Sequence, residues 1–288
     1  MGTMGTMSTV RIVTDSTADL PPQLAAELGI TIVPLQVAFG ADVYRDGVDI
    51  TSDEFYRRLA ESATLPKTSQ PSVGAFEEEF ERLCRETDSI LSIHISSSLS
   101  GTYNSAMLAR DRFRNRCNIE VLDSRLVSMG LGLVAADCAR LARQGADLRT
   151  VTHFAKRMIP NVHIHFVVET LDYLQRGGRI GRAQAFVGSL LNIKPILMIE
   201  EGEVRPVEKV RSRAKALDRL VEFVELFPDV KELCVIYSTT PDDVELILKR
   251  IEPLVPRERI LISQIGPVVG THTGPGVLGI VVSQGIEA

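Results

Sequence analysis

The chain has 288 residues, 44% of them hydrophobic and 24% charged, with a formal net charge of −5 and a pI near 5.7. That length suits one large α/β domain or two ordinary ones, and the acidic balance excludes a general attraction to nucleic acid or anionic membranes. The four cysteines, Cys84, Cys117, Cys138 and Cys234, are scattered without a C-x-x-C pair and read as reduced core residues of a cytoplasmic protein.

Strand-like and helical runs alternate along the chain, which signals an α/β architecture with largely parallel sheets. Residues 1–7 show no basic segment ahead of an apolar one and do not read as a signal peptide. Residues 10–14 read as a strand, 15–19 as a capping turn, and Pro21 stands near the first position of a helix ending at Gly29. Residues 30–37 form the next strand. Residues 67–76 are a hydroxyl-rich turn, in which Pro71 disfavours helix at Gln70 and Ser72 caps a helix over 73–84.

An apolar strand at 90–95 runs into Ser96-Ser97-Ser98-Leu99-Ser100-Gly101-Thr102, five hydroxyls in seven residues. A helix with Ala106, Ala109 and Phe113 on one face follows. A helix N-terminus exposes unpaired N–H groups and the positive end of a dipole, a natural place for a small anion. No lysine or arginine lies between Arg85 and Arg110, so the donors here are neutral and suit a carboxylate better than a polyphosphate. Serines at such a position are equally ordinary helix caps, and both readings stay open. If the two hydroxyl-rich segments meet, they offer Thr68, Ser69, Ser97, Ser100 and the turn at Gly101 to one head group.

Residues 119–122 are a strand, Asp123-Ser124 a cap, and the next helix carries Leu131, Ala135, Cys138 and Leu141 before Gly145 ends it. A helix at 148–158 precedes a boundary near Pro160 that divides the chain into α/β domains at 8–159 and 160–288, with a ligand tunnel at or near their interface. Then come a strand at 163–168, Gly177-Gly178, a helix through Leu191, and a hairpin of 195–199 with 204–210. Phe186, Val187, Leu190, Leu191 and Ile193 are candidates either for tunnel lining or for plain core. A helix at 212–226, a strand at 232–237 and a helix at 242–251 follow. Residues 260–286 carry no formal charge, yet six glycines and two prolines exclude a continuous membrane helix. They read as two core strands joined by a loop at 270–276 that holds His272.

Missing motifs narrow the function. The chain has no G-x-x-x-x-G-K-[ST], no dinucleotide fingerprint, no H-E-x-x-H and no G-x-S-x-G, and His163 and His165 have no partner at metal spacing. Nothing in the chain asks for a metal or a cofactor. An acyl- or phosphoryl-transfer enzyme with a serine nucleophile and His272 as base is the alternative to a binding protein. An interaction protein with a purely structural pocket is a third reading.

Six segments taken in order resemble the DegV family of bacterial fatty-acid-binding proteins: residues 13–21, 67–72, 96–105, 171–181, 191–197 and 272–279. The resemblance covers nearly the whole chain. It implies a two-domain α/β protein that is not itself an enzyme and holds one long-chain fatty acid, such as palmitate or oleate, in a buried tunnel. It further implies that some members present the carboxylate to a separate fatty-acid kinase, which makes an acyl phosphate for phospholipid synthesis. By motif, the head-group threonine and serine match Thr68 and Ser97, while Arg211 and His272 match residues near the head group or the kinase-facing surface. Each buried methylene contributes about 0.8 kcal/mol, so a tail of about 14 contributes roughly 11 kcal/mol gross. Each hydrogen bond to the carboxylate adds about 1.5–3 kcal/mol. The tail is therefore expected to set affinity and the hydroxyls to set orientation.

Overall fold

The computed structural model describes residues 9–188 and 193–286. The first half runs β1 (Arg11–Asp15), α1 (Pro22–Leu28), β2 (Thr31–Val33), β3 (Gln36–Phe39), β4 (Asp42–Arg45), α2 (Ser52–Glu61), β5 (Lys67–Ser69), α3 (Val73–Leu83), β6 (Ser89–His94), α4 (Thr102–Arg110), β7 (Asn118–Asp123), α5 (Met129–Arg143) and α6 (Leu148–Met158). A 3-10 turn, Ile159–Asn161, leads into β8 (Val162–Val167), α7 (Asp172–Arg176), β9 (Lys194–Glu200), β10 (Glu203–Val210), α8 (Arg213–Glu225), β11 (Val230–Tyr237), α9 (Pro241–Ile251), β12 (Ile260–Gln264), α10 (Pro267–Thr273) and β13 (Leu278–Gln284).

The protein is α/β, as expected, and the parallel pairing is complete in one of its sheets. The order β2-β1-β6-β7 is parallel throughout, because each return to that sheet passes through a helix. The second large sheet, β10-β9-β8-β13-β11-β12, departs from the expectation: only β11 and β12 run parallel. Its β9–β10 connection is a tight turn at Glu201 and Gly202, both at positive φ (53° and 82°), which suits a two-residue hairpin. The final strand β13 inserts antiparallel between β8 and β11.

Helix α5 touches strands of both large sheets. Twelve of its fifteen residues are buried, so its interior-facing surface extends nearly all round. Small residues permit this. A Cβ on Gly132 would stand 2.7 Å from the carbonyl oxygen of Ala18, and one on Gly130 would stand 2.4 Å from Ile164 Cδ1. Gly132→Ala, which presses on backbone, is expected to lower stability by about 1–3 kcal/mol in a denaturant titration. The largest apolar cluster joins residues from both halves of the chain, from Val10 and Leu91 to Ile199 and Val281.

Four further expectations change. The single strand at 30–37 is broken at Pro34-Leu35: Leu35 gives its N–H to Ser16 Oγ (3.0 Å), and the chain leaves the parallel sheet for a small antiparallel one, β4-β3-β5. The turn containing Thr68 is in fact strand β5, with Thr68 opposite Val37. The loop at 270–276 is largely helix α10, which starts with Pro267 in its first turn and stops at Gly274, φ 77°. The helix expected through Leu191 begins as the 3-10 turn Gly181–Phe186, and Leu190 and Leu191 lie outside the described residues. All four cysteines are free, and among the described residues no helix is long and apolar enough to cross a membrane.

Candidate ligand-binding site

A cavity of about 410 Å³ opens between the small sheet, α10, strands β8, β9 and β10, and the segments that follow β1, β6 and β7. This lies within the usual range for small-molecule sites. Its walls come from both sides of residue 160: Leu35, Ile95 and Val127 from one, Phe166, Ile199 and Val204 from the other. Val268 and Val269 of α10 add to the apolar lining.

The polar groups of the lining are tied to one another. Thr68 Oγ1 is 2.8 Å from His272 Nε2, a hydrogen bond between residues 204 positions apart. Nδ1 of the same ring is buried and has no hydrogen-bond partner among the described residues. Gly177 lies against it, since a Cβ there would be 2.2 Å from Nδ1. Arg179 follows, with Nη1 donating to the Gly177 carbonyl (2.7 Å) and Nε to the Leu99 carbonyl (3.3 Å). Ser69, Gln70 and Ser100 complete this part of the wall. Burial pushes the His272 ring down to about 4, and the nearby Arg179 charge acts in the same direction. The imidazole is therefore neutral at neutral pH. When its Nε2–H donates to Thr68, the threonine keeps its own proton for an anion in the cavity.

Of the residues singled out from sequence, the lining brings together Thr68, Ser69, Ser100 and His272. It does not include Ser97, Gly101 or Arg211. Ser97 faces Asp123, which accepts from its Oγ (2.5 Å) and its N–H (3.2 Å). Ser96 likewise donates to the Gly202 carbonyl (2.8 Å), so part of the serine run fastens the turn rather than lining the cavity. Gly101 makes room for Gln70: a Cβ would stand 2.0 Å from Gln70 Oε1, and Gln70 Nε2 reaches Ser105 Oγ at 3.0 Å. Arg211 is exposed in the segment between β10 and α8.

Sequence reasoning missed Gln70, Gly177 and Arg179 as site residues. Arg179 matters most, because it is the one charged side chain among the described lining residues, where only neutral donors were expected. The available signal was its place one residue beyond the di-glycine Gly177-Gly178.

A hydroxyl–imidazole–carboxylate chain, Ser92–His94–Asp15, lies beside the cavity. Ser92 Oγ meets His94 Nε2 at 2.6 Å, and His94 Nδ1 meets Asp15 Oδ2 at 2.9 Å. All three residues are fully buried, and the His94 ring packs edge-on against Phe76. No substrate could reach that serine without unfolding. The chain serves the walls instead: Asp15 also accepts from Thr17 N (3.1 Å), from Thr17 Oγ1 and from Ile95 N (3.1 Å), fixing two lining residues. Ser100 Oγ pairs with Thr102 Oγ1 (2.8 Å), so the described hydrogen bonds join neither Ser97 nor Ser100 to His272.

Fold and site together define an α/β protein with a mostly apolar internal cavity whose polar groups cluster around a neutral histidine, a threonine and one arginine. The model of the DegV family, described as "Uncharacterised protein, DegV family", matches residues 9–285. The chain belongs to the DegV family. A DegV domain-containing protein of Halalkalibacterium halodurans is 41% identical over 95% of this chain and 98% of its own length. Among solved structures, a DegV family protein from Thermus thermophilus described by its fatty acid binding superimposes with a TM-score of 0.88 at 36% identity, covering 96% of this chain and 99% of its own. DegV of Bacillus subtilis, described as a fatty acid binding protein, gives a TM-score of 0.87 at 33% identity, covering 96% and 100%.

Proposed function

We propose that this protein binds one long-chain fatty acid, of the palmitate or oleate class, with its tail among the apolar walls of the cavity and its carboxylate at Thr68. The observation that carries this reading is a single cavity in which an apolar lining meets the hydrogen-bonded pair Thr68–His272 and the Arg179 guanidinium. The fatty-acid-binding descriptions of two relatives at 36% and 33% identity support it. The Thr68 hydroxyl and Ser100 supply neutral hydrogen bonds, while Arg179, exposed at the cavity wall, offsets the ligand's charge. Ser97 would have to leave Asp123 to take part, so Ser100 is the serine we assign to the head group.

We infer in addition that the carboxylate is presented to a separate kinase. The chain carries no G-x-x-x-x-G-K-[ST] loop, which supports a phosphoryl donor held by the partner. The exposed Arg211 and His272 beside the carboxylate are the residues proposed to face that partner. In this reading the chain works in the cytoplasm without metal or cofactor, takes no part in nucleic-acid binding, and touches membranes at most transiently.

The test is denaturation of the purified protein, solvent extraction and negative-ion mass spectrometry. Near-stoichiometric free fatty acid is the expected result. A clean extract from protein that also fails to take up added palmitate overturns the reading. Intact mass of the same preparation addresses the alternative, since a covalent acyl or phosphoryl adduct on serine would mark a transferase.

A further inference from the structure

Helix α10 carries four lining residues, Val268, Val269, His272 and Thr273, and its start is gripped by two carboxyl groups from distant segments. Asp19 follows the 3-10 turn after β1 and sits at φ 49°. Its Oδ1 accepts the Gly266 N–H at 2.9 Å and its Oδ2 accepts Ser128 Oγ at 2.5 Å, while its own carbonyl accepts from Ser263 Oγ. Asp46 follows β4, and its Oδ2 accepts Ser16 Oγ at 2.9 Å. The two carboxyl groups flank the same backbone atom: a Cβ on Gly266 would stand 2.9 Å from Asp19 Oδ1 and 3.3 Å from Asp46 Oδ1. Asp19 is 8% exposed and Asp46 4%, so neither is solvated in the usual way.

We propose that Asp19 and Asp46 are positioning residues: a buried carboxyl pair that clamps α10, and through it His272, in a proton-dependent way. The titratable neighbours allow this. Asp15 lies on the β1 side and Tyr56 on the α2 side, and Arg45, next to Asp46 in the chain, is committed to Asp49 at the surface. Among the described residues neither Asp19 nor Asp46 forms a salt bridge, and no cation acts prominently on either. Burial, reinforced by the charge of Asp15, pushes the Asp46 carboxyl up to about 7. Burial, with Asp46 and Asp15 adding to it, raises Asp19 well above the usual range.

The direction of the effect follows from linkage. A carboxyl whose closed-state value is raised holds its proton more tightly when α10 is docked than when the site opens to water. Docking is then strongest at low pH and weakens as pH rises from the ordinary carboxyl range towards 7, by at most about tenfold per pH unit for each such group. The Asp46 contribution levels off above about 7. Since α10 forms part of the cavity wall, ligand release follows the same trend; that consequence rests on the fatty-acid reading, whereas the clamp itself does not.

The experiment is amide hydrogen exchange of residues 266–273 in the ligand-stripped protein from pH 5.5 to 8, corrected for intrinsic exchange, alongside palmitate transfer to albumin over the same range. The opening constant of α10 is expected to rise with pH, and palmitate release to accelerate in parallel. Asp46→Asn keeps an acceptor for Ser16 but no charge, and is expected to lower the slope; Asp19→Asn with Asp46→Asn is expected to abolish it. A pH-independent opening constant in the wild-type protein overturns the clamp, whether or not the variants fold. An intact slope in the double variant overturns it equally. Palmitate that never binds, with the exchange slope present, overturns the fatty-acid reading and leaves the clamp supported.

Discussion

Octanoate is expected to bind about four orders of magnitude more weakly than palmitate. The two ligands share a carboxylate and differ by eight methylenes, each worth about 0.8 kcal/mol when buried, or about 6 kcal/mol in all. At about 1.4 kcal/mol per tenfold, that is a factor of about 10⁴. The expectation depends on the cavity walls being apolar beyond the head group, as Leu35, Ile95, Phe166, Ile199 and Val204 make them. Competition of the two acids against a fluorescent fatty acid measures the ratio directly. A ratio below about ten would mean that the tail lies outside the cavity and that the carboxylate contributes most of the affinity.

Thr68→Val is expected to weaken palmitate binding by about 10–100-fold. Valine keeps the branched shape on β5 but removes the hydroxyl, and a hydrogen bond to a charged group is worth about 1.5–3 kcal/mol. The substitution also leaves His272 Nε2 without its partner at 2.8 Å, when Nδ1 already lacks one. For that reason Thr68→Val and His272→Gln should be strongly non-additive, because the two residues act on the ligand through one shared hydrogen bond. Thr68→Ser should restore most of the affinity. Titration calorimetry on wild type, the three single variants and the Thr68→Val/His272→Gln double variant decides the matter; wild-type affinity in Thr68→Val would remove the threonine from the head-group site.

The composition of the site was more legible than its geometry. Hydroxyl-rich runs at 67–72 and 96–102 stand out in the sequence, and Thr68, Ser69 and Ser100 do line one cavity. Local pattern could not tell Ser97 from Ser100, because the choice depends on Asp123, which lies on the neighbouring strand and takes the Ser97 hydroxyl. Arg179 looked like any surface arginine; its bond to the Gly177 carbonyl is local, and only the fold brings that turn beside His272. Helix α10 was hidden by its glycines, although Pro267 and Gly274 are proper start and stop signals. One of those glycines, Gly270, is there for contact rather than for flexibility, since a Cβ would stand 2.5 Å from Tyr56 Oη.

Strand pairing shows the same limit. The alternation of strands and helices predicts largely parallel pairing, and β1, β6 and β7 do pair in parallel. The antiparallel character of the larger sheet rests on β13 entering between β8 and β11, a long-range choice that leaves no local mark in the sequence. Helix α5 was visible as an apolar stripe, but its packing against both sheets follows from Gly130 and Gly132 fitting against Ile164 and Ala18.

The most direct measurement is the carbon-13 resonance of palmitate labelled at its carboxyl carbon and bound to the protein, followed from pH 8 down to pH 4.5 in wild type and in Thr68→Val. One sharp bound resonance is expected, still in the ionised position at a pH where the free acid has begun to protonate, and moving toward free-acid behaviour in the variant. A bound carboxyl that titrates like free fatty acid, identically in both proteins, would contradict a carboxylate held at Thr68.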